Sequence, residues 1–311
     1  MSHRDHQPVR LLQGPATKAP AAITASAVGF VFPDGSNALS NVSFSLARGA
    51  CVGILGPNGS GKTTLLHLLA GVRHPTSGSI CIDEDPSMQL GQRGLSPAQR
   101  LGWRRKVGLV LDSPEAMLFG GTVEADVAFG PANLGIDPDG VKARVKRELD
   151  RLHLQDLRSH PIHALSRGEK RRVAMAGVLA MDPEILLLDE PLLGLDSPSR
   201  RDFIGLLGDL RERGKTIVLT SHDVQFVAEE VSHALLIRDG EVLGQGPPEG
   251  VLTDRTMLAA AGLQEPWVTE VSRGLGEEGL LLRGDDPLPV RRHEFIALLR
   301  SQLSRKRDLQ Q

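Results

Sequence analysis

Cys51-Val-Gly-Ile-Leu-Gly-Pro-Asn-Gly-Ser-Gly-Lys-Thr-Thr64 is the stretch whose reading decides the fold. Its first five residues, CVGIL, form a short apolar run of the kind that makes a buried strand. The next eight, Gly56-Pro57-Asn58-Gly59-Ser60-Gly61-Lys62-Thr63, fit GxxxxGK[ST]. After Lys62 the run TTLLHLLAGV has helical apolar spacing, so the pattern stands in the strand–loop–helix context it requires. Glycines let successive backbone N–H groups turn inward around a phosphate, and the helix N-terminus adds about half a positive charge. Lys62 is placed to pair with the β- and γ-phosphates, and the Thr63 hydroxyl to hold magnesium.

Two further strands end in chemistry. Ile185-Leu-Leu-Leu-Asp189 closes on the acids Asp189 and Glu190, at the edge where a parallel sheet presents function. One acid there can hold the magnesium shell, and the other can polarise water. Thr216-Ile-Val-Leu-Thr220 leads into Ser221-His222-Asp223, where a histidine can hydrogen-bond a γ-phosphate and orient the attacking water. Each of these has a plainer reading by itself: a solvated lysine on a glycine turn, exposed strand-end acids, a structural histidine. Their order in one chain favours a nucleoside triphosphate site. Strands apolar on both faces call for a buried parallel sheet.

Upstream, AVGFVF and VSFSL alternate with turn signals at Pro33-Asp34-Gly35 and Arg48-Gly49, which predicts an antiparallel patch from Ile23 onward. The stretch from about Val107 to Arg171 is more helical and charged. Beyond Leu252, GLGEEG and RGDDPLP read as an interruption before a last amphipathic helix from Arg291. Residues 1–22 lack periodicity and read as a disordered tail, and no internal repeat is present.

Thirty-six basic and 38 acidic residues leave a formal charge of −2, so no global positive field holds nucleic acid or an anionic bilayer. Membrane contact is therefore expected through a partner. Cys51 and Cys81 show neither CxxC nor zinc-type spacing and read as reduced core residues. Met1–Pro20 lacks a signal-type apolar run, and no window approaches the ~18 apolar residues of a spanning helix. A cytosolic chain is expected.

With LSRGEKRRVAMA at 165–176 just ahead of ILLLDEP, the ordered motifs resemble the ABC ATPase family across residues 23–255. That resemblance implies an α/β P-loop core with an antiparallel β subdomain, a helical subdomain at about 107–175 and a C-terminal extension at 256–311. It implies ATP and Mg²⁺ as ligands, with Gly56, Pro57, Asn58, Gly59, Ser60, Gly61, Lys62, Thr63 and Thr64 as the Walker A loop. Asp189 becomes the Walker B acid, Glu190 the general base, Gly194-Leu195-Asp196 the D-loop and His222 the switch histidine. Adenine stacking falls to Phe32, because the chain contains no tyrosine. The family works as a head-to-tail dimer, so Ser166, Gly168 and Glu169 of the signature would complete the ATP site of a second ABC ATPase, identical or not.

The segment VGLVLDSPEAMLFGGTVEADVAFGPANLGI at 107–136, with AGVLAMDPEILLLDEP, PWVTEV and PLPVRRHEFIALL, resembles the energy-coupling-factor and cobalt or nickel importers. Those systems pair two ATPases with a transmembrane coupling subunit and a substrate-binding membrane subunit. The expectation is a peripheral ATPase on the cytoplasmic face of the membrane, energising cobalt or nickel uptake, with vitamins as the alternative cargo. Acting on DNA or ribosomes would call for a second cassette or a long coiled-coil insertion, and the sequence has neither, so no nucleic-acid partner is expected.

Two positions depart from the family's pattern. Arg167 replaces a signature glycine, which would cost about 1 kcal/mol or more if the position needed positive φ. Asp112 replaces the Q-loop glutamine; beside phosphates it would be tolerated by meeting Mg²⁺ directly or through water. A weakly hydrolysing subunit paired with a normal paralogue is the corresponding alternative. His160 and His163, three apart around Pro161, read as a surface loop and not as a metal site.

Overall fold

The computed structural model describes residues 10–11, 20–281 and 287–308. Most of the tail expected at 1–22, and Arg283–Asp286 of RGDDPLP, lie outside the described residues. The described residues fall into two compact units. One contains Arg10–Leu11, Cys51–Lys62 and the chain from Ser221 onward; the other contains 20–50 and Thr63–Thr220.

In the first unit the strand Cys51–Leu55 runs parallel to His233–Arg238, with Val52 opposite His233 and Leu55 opposite Leu236. Glu241–Gly246 pairs antiparallel with His233–Arg238 through a bulge at Leu236/Ile237, and Arg10–Leu11 lies parallel to Glu241–Gly246. The short strand at 10–11 falls within the tail read as lacking structure. Val227 and Val231 pack so close to Gly53 that a Cβ there would meet Val227 Cγ1 at 2.7 Å. A glycine inside this strand is therefore a packing requirement.

The helices Arg255–Ala260, Trp267–Glu277 and Arg292–Asp308 belong to this same unit. Arg291 bonds Glu249 and Glu294, the Gln225 side chain donates to the Val290 carbonyl, and Arg292 N–H donates to Glu229. The extension expected at 256–311 is thus tied to the residues that follow His222. GLGEEG is not an interruption, because the helix Trp267–Glu277 runs into it.

In the second unit, Val107–Val110, Ile185–Leu188 and Thr216–Ser221 run parallel in register, Val107 opposite Ile185 and Ile185 opposite Thr216. All of Ile185–Leu188 is buried, as a strand covered on both faces must be. An antiparallel sheet ordered Asn37–Ala47, Ala21–Val31, Ser77–Ile82, Gln89–Leu90 accompanies them. Its first strand starts at Ala21, two residues before the expected Ile23.

Helices Val123–Asn133, Pro138–Arg151 and Arg167–Ala180 form the helical part. It begins later and ends later than the expected 107–175, because Val107–Val110 is a strand of the parallel sheet. The run Val107–Leu111 between Lys106 and Asp112 is too short for periodicity to tell strand from helix.

Candidate nucleotide site

The phosphate loop is built on the first unit. A Cβ on Gly56 would lie 2.0 Å from the Ile237 carbonyl oxygen, so only glycine lets the loop leave the strand there. Gly59 and Gly61 have φ of +80° and +99°, whereas Ser60 between them does not. Such alternation curls backbone N–H groups into a concavity that suits an anion. Ser60 is buried, its N–H donates to Pro57, its carbonyl accepts from Gly240, and its hydroxyl has no hydrogen-bond partner among the described residues. Lys62, 7 % exposed, donates through Nζ to the carbonyls of Gly56 at 2.7 Å and Pro57 at 3.0 Å. The loop thereby holds its own ammonium, in a place where phosphate oxygens could compete for it.

His222 belongs to this unit as well. It is exposed at the end of Thr216–Ser221, and the next turn is fixed by Asp223, which caps the helix Val224–Glu230 through the Phe226 N–H.

The acids lie in the second unit. Thr63 Oγ1 donates to Asp189 Oδ2 at 2.8 Å, and Thr220 Oγ1 donates to Asp189 Oδ1 at 2.6 Å. Asp189 is 3 % exposed, so these bonds satisfy a carboxylate that burial would otherwise penalise. Thr220 Oγ1 also accepts the Glu190 N–H at 2.8 Å. Glu190 has φ +43°, in the left-handed region that costs a non-glycine residue about 1–2 kcal/mol. Its carbonyl accepts from Leu193 N–H and from Arg171.

Asp112 is exposed just past Val107–Val110, and its carbonyl lies 3.5 Å from Arg171 Nη2. Thr64 sits half-buried within the helix Lys62–Leu69. Phe32 stands in the turn closed by its own N–H on Ser36, edge-on to Phe30 at 5.0 Å, with the Arg73 guanidinium 5.3 Å from its centroid.

Ser166 caps the helix Arg167–Ala180 in a reciprocal box. Glu169 N–H donates to its hydroxyl at 3.3 Å, while Glu169 Oε2 accepts from Ser166 N–H and Oγ–H, both at 2.7 Å. Bonds from the Ser166 hydroxyl, then from its backbone, hold the Glu169 carboxyl below the usual range. Ser166, Arg167 and Gly168 are exposed. Arg167 opens this helix and has no positive φ. The backbone cost considered for a glycine replacement does not arise there, because the first helical position suits any such residue. Asp196 likewise caps Ser197–Glu212 through Ser199 N–H at 2.8 Å, and Gly194 has φ +74°. His160 and His163 are both exposed, and His160 lends its carbonyl to Val123 N–H.

Hard oxygen donors on Thr63 and Asp189 fit Mg²⁺, which takes few protein ligands and completes its shell with phosphate and water. Sequence reading did not assign roles to Thr220 or Arg171, whose value lies in contacts with residues 30 and 19 positions away. It also missed a groove of about 590 Å³ in the second unit, lined by Leu101, Met117, Phe119, Phe129 and Met181. Phe119 is 64 % and Phe129 50 % exposed, and their rings meet edge-to-face at 4.4 Å.

A family model described as ABC transporter matches residues 39–193. The chain is 42 % identical over 272 residues to the cobalt import ATP-binding protein CbiO of Rhodobacter capsulatus, covering 86 % of this chain and 95 % of that one. It is 37 % identical over 260 residues to the energy-coupling factor transporter ATP-binding protein EcfA of Methanosphaera stadtmanae, covering 83 % and 91 %. Among solved structures, cbiO1 from Clostridium perfringens, part of the ABC transporter complex cbiONQ, aligns with TM-score 0.66 at 32 % identity over 78 % of this chain and 94 % of that one. A dimeric ATP-binding cassette in a post-hydrolysis state, bound to ADP and Pi, aligns with TM-score 0.66 at 27 % identity over 73 % and 98 %.

Proposed function

Because this chain belongs to the ABC transporter family and is an ATPase, we propose that it energises the import of cobalt or nickel through membrane partner subunits, using MgATP. The observation that carries the MgATP reading is the bond of Thr63 Oγ1 to Asp189 Oδ2 at 2.8 Å, which joins two hard oxygen donors next to the phosphate-loop lysine in the chain.

In this reading Lys62 gives up the carbonyls of Gly56 and Pro57 for β- and γ-phosphate oxygens, and the loop N–H groups donate to the remaining phosphate oxygens. Thr63 and Asp189 would hold the magnesium, and Asp112 would meet it directly or through water. Magnesium, when bound, supplies neutralisation of phosphate charge. Glu190 takes a proton from the water whose oxygen bonds to the γ-phosphorus, while the bridging oxygen leaves with ADP. His222 orients that water and hydrogen-bonds the γ-phosphate. Phe32 stacks on adenine. Ser166, Gly168 and Glu169, exposed or half-exposed at a helix start, together with Asp196, serve the nucleotide of a second ABC ATPase.

The apolar groove around Phe119 and Phe129 supports a membrane partner, since exposed aromatics in a concave surface suit an amphipathic helix. No described helix is long and apolar enough to cross a membrane, which accords with a peripheral subunit on the cytoplasmic face held by a coupling subunit and a substrate-binding one. The similarity to a cobalt import subunit favours the metal cargo; the similarity to EcfA proteins keeps vitamin uptake as the second reading.

Uptake of labelled cobalt and nickel by cells carrying the intact chain or Lys62→Ala tests this. Loss of uptake in the variant supports metal import. Unchanged uptake removes the metal and moves the question to vitamins.

A further inference from the structure

Arg171 lies in the first turns of the helix Arg167–Ala180, half-buried. Its guanidinium reaches away from its own helix to three carbonyls. Nη1 donates to Leu193, Nη2 to Glu190 at 3.1 Å, and Nη2 also approaches the Asp112 carbonyl at 3.5 Å. The first two belong to the loop that carries the strand-end acid onward, and the third to the segment after Val107–Val110.

The position is electrostatically demanding. Burial and the neighbouring Arg167 charge oppose the Arg171 cation, and Asp112 supports it. Arg167 and Arg171 stand four apart on one helix, a spacing at which like charges repel. Both departures from the family's pattern, Arg167 and Asp112, therefore act on this one guanidinium. A cation kept against burial and repulsion needs partners that only it can serve, and a planar fork serves two carbonyls at once.

Those partners sit beside a strained residue. Glu190 has φ +43°, and strained backbone persists only where its surroundings over-determine it. Its N–H is held by Thr220 Oγ1 and its carbonyl by Arg171, so the peptide groups on both sides of its Cα are fixed by side chains from other elements.

We propose that Arg171 is a positioning residue for hydrolysis: by clamping the carbonyls of Glu190 and Leu193 it fixes the backbone from which the Glu190 carboxylate meets water. The inference rests on the reading of Glu190 as the general base. It also gives the helix that begins at Ser166 a direct mechanical line to that base, so a ligand or partner engaging the helix start is felt at Glu190.

The test uses the full chain, with steady-state ATPase, titration of a fluorescent ATP analogue and thermal unfolding for Arg171→Lys, Arg171→Gln, Glu190→Gln and the double variant Arg171→Gln/Glu190→Gln. Glu190→Gln is expected to lower kcat by about 100-fold or more, as for loss of a general base. Both Arg171 variants are expected to lower kcat by about 10-fold, with the ATP-analogue Kd within about twofold of the parent. In the double variant the Arg171 change should cost nothing further, since a misplaced base and an absent base are the same defect.

An unchanged kcat in Arg171→Lys and Arg171→Gln, beside an inactive Glu190→Gln, overturns the proposal alone. So does an equal further loss in the double variant, or a loss of nucleotide affinity matching the loss of kcat. A full rate in Glu190→Gln overturns the general-base reading, and the proposal with it.

Discussion

Thr220 Oγ1 donates to Asp189 Oδ1 at 2.6 Å while accepting the Glu190 N–H at 2.8 Å, so one hydroxyl serves both acids of the strand end. Thr220 is fully buried, and no water can replace it. Thr220→Val keeps the shape and removes the oxygen, leaving a buried carboxylate short of a donor and a buried N–H short of an acceptor. A loss of about 1–3 kcal/mol per unsatisfied group is expected in urea unfolding, together with a lower kcat. Wild-type stability would mean that the contact is energetically idle.

The two loop glycines should differ sharply. Gly56→Ala puts a Cβ 2.0 Å from a backbone oxygen, whereas Gly59→Ala meets none of the described residues within 4 Å and only inherits φ +80°. About 1–2 kcal/mol is expected for Gly59→Ala, the ordinary left-handed penalty. For Gly56→Ala the loop must shift, at about 3 kcal/mol or more. Chemical denaturation of both variants checks the order.

Lys62→Ala should weaken nucleotide binding by about 10- to 100-fold, the range of one or two charge-assisted hydrogen bonds. Titration of a fluorescent ATP analogue measures this directly. Because Lys62 also ties together the Gly56 and Pro57 carbonyls, a small fall in thermal midpoint should accompany it.

Acid should loosen the start of the helix Arg167–Ala180 through Glu169. Hydrogen bonds from Ser166 hold the folded carboxyl below its unfolded range, so its stabilising contribution is complete above the unfolded pKa and is lost as pH falls through the folded one. Glu169→Gln keeps an acceptor oxygen without the titrating proton. The variant's stability should therefore depend less on pH below about 4.5 than the parent's, as read by urea midpoints across that range.

Phe119→Ser and Phe129→Ser should abolish co-purification with the membrane subunits while leaving ATP-analogue binding unchanged. Retained assembly would assign the groove some other role.

What could be read in advance was whatever local sequence determines. CVGIL, ILLL and TIVLT announced buried strands by composition, and GPNGSGKT announced its loop by the glycines that the backbone now uses at positive φ. Val107–Val110 is not legible as a strand because its short run has no period of its own and adjoins a charged, helix-like stretch. Arg167, a strained replacement only if its position needed positive φ, begins a helix, where its conformation is ordinary. Thr220 and Arg171 have no legible role in the sequence, because Thr220 acts on a residue brought near by the parallel register, and Arg171 reaches from its helix to a loop 19 and 22 positions away. The Phe119–Phe129 contact spans a helix start, so no single helical or strand period links the two rings in the sequence.

The aromatic groove also bears on the life of an unassembled copy. On the proposed reading, a copy not yet joined to its membrane partners leaves Phe119 and Phe129 exposed. Contiguous apolar surface of that kind is adhesive, so an orphan copy is expected to self-associate or to be bound by chaperones and proteases that survey exposed hydrocarbon. On that reading, supply of this chain in excess of its partners would be self-limiting, and matched synthesis of the subunits would follow from the exposure of two phenylalanines.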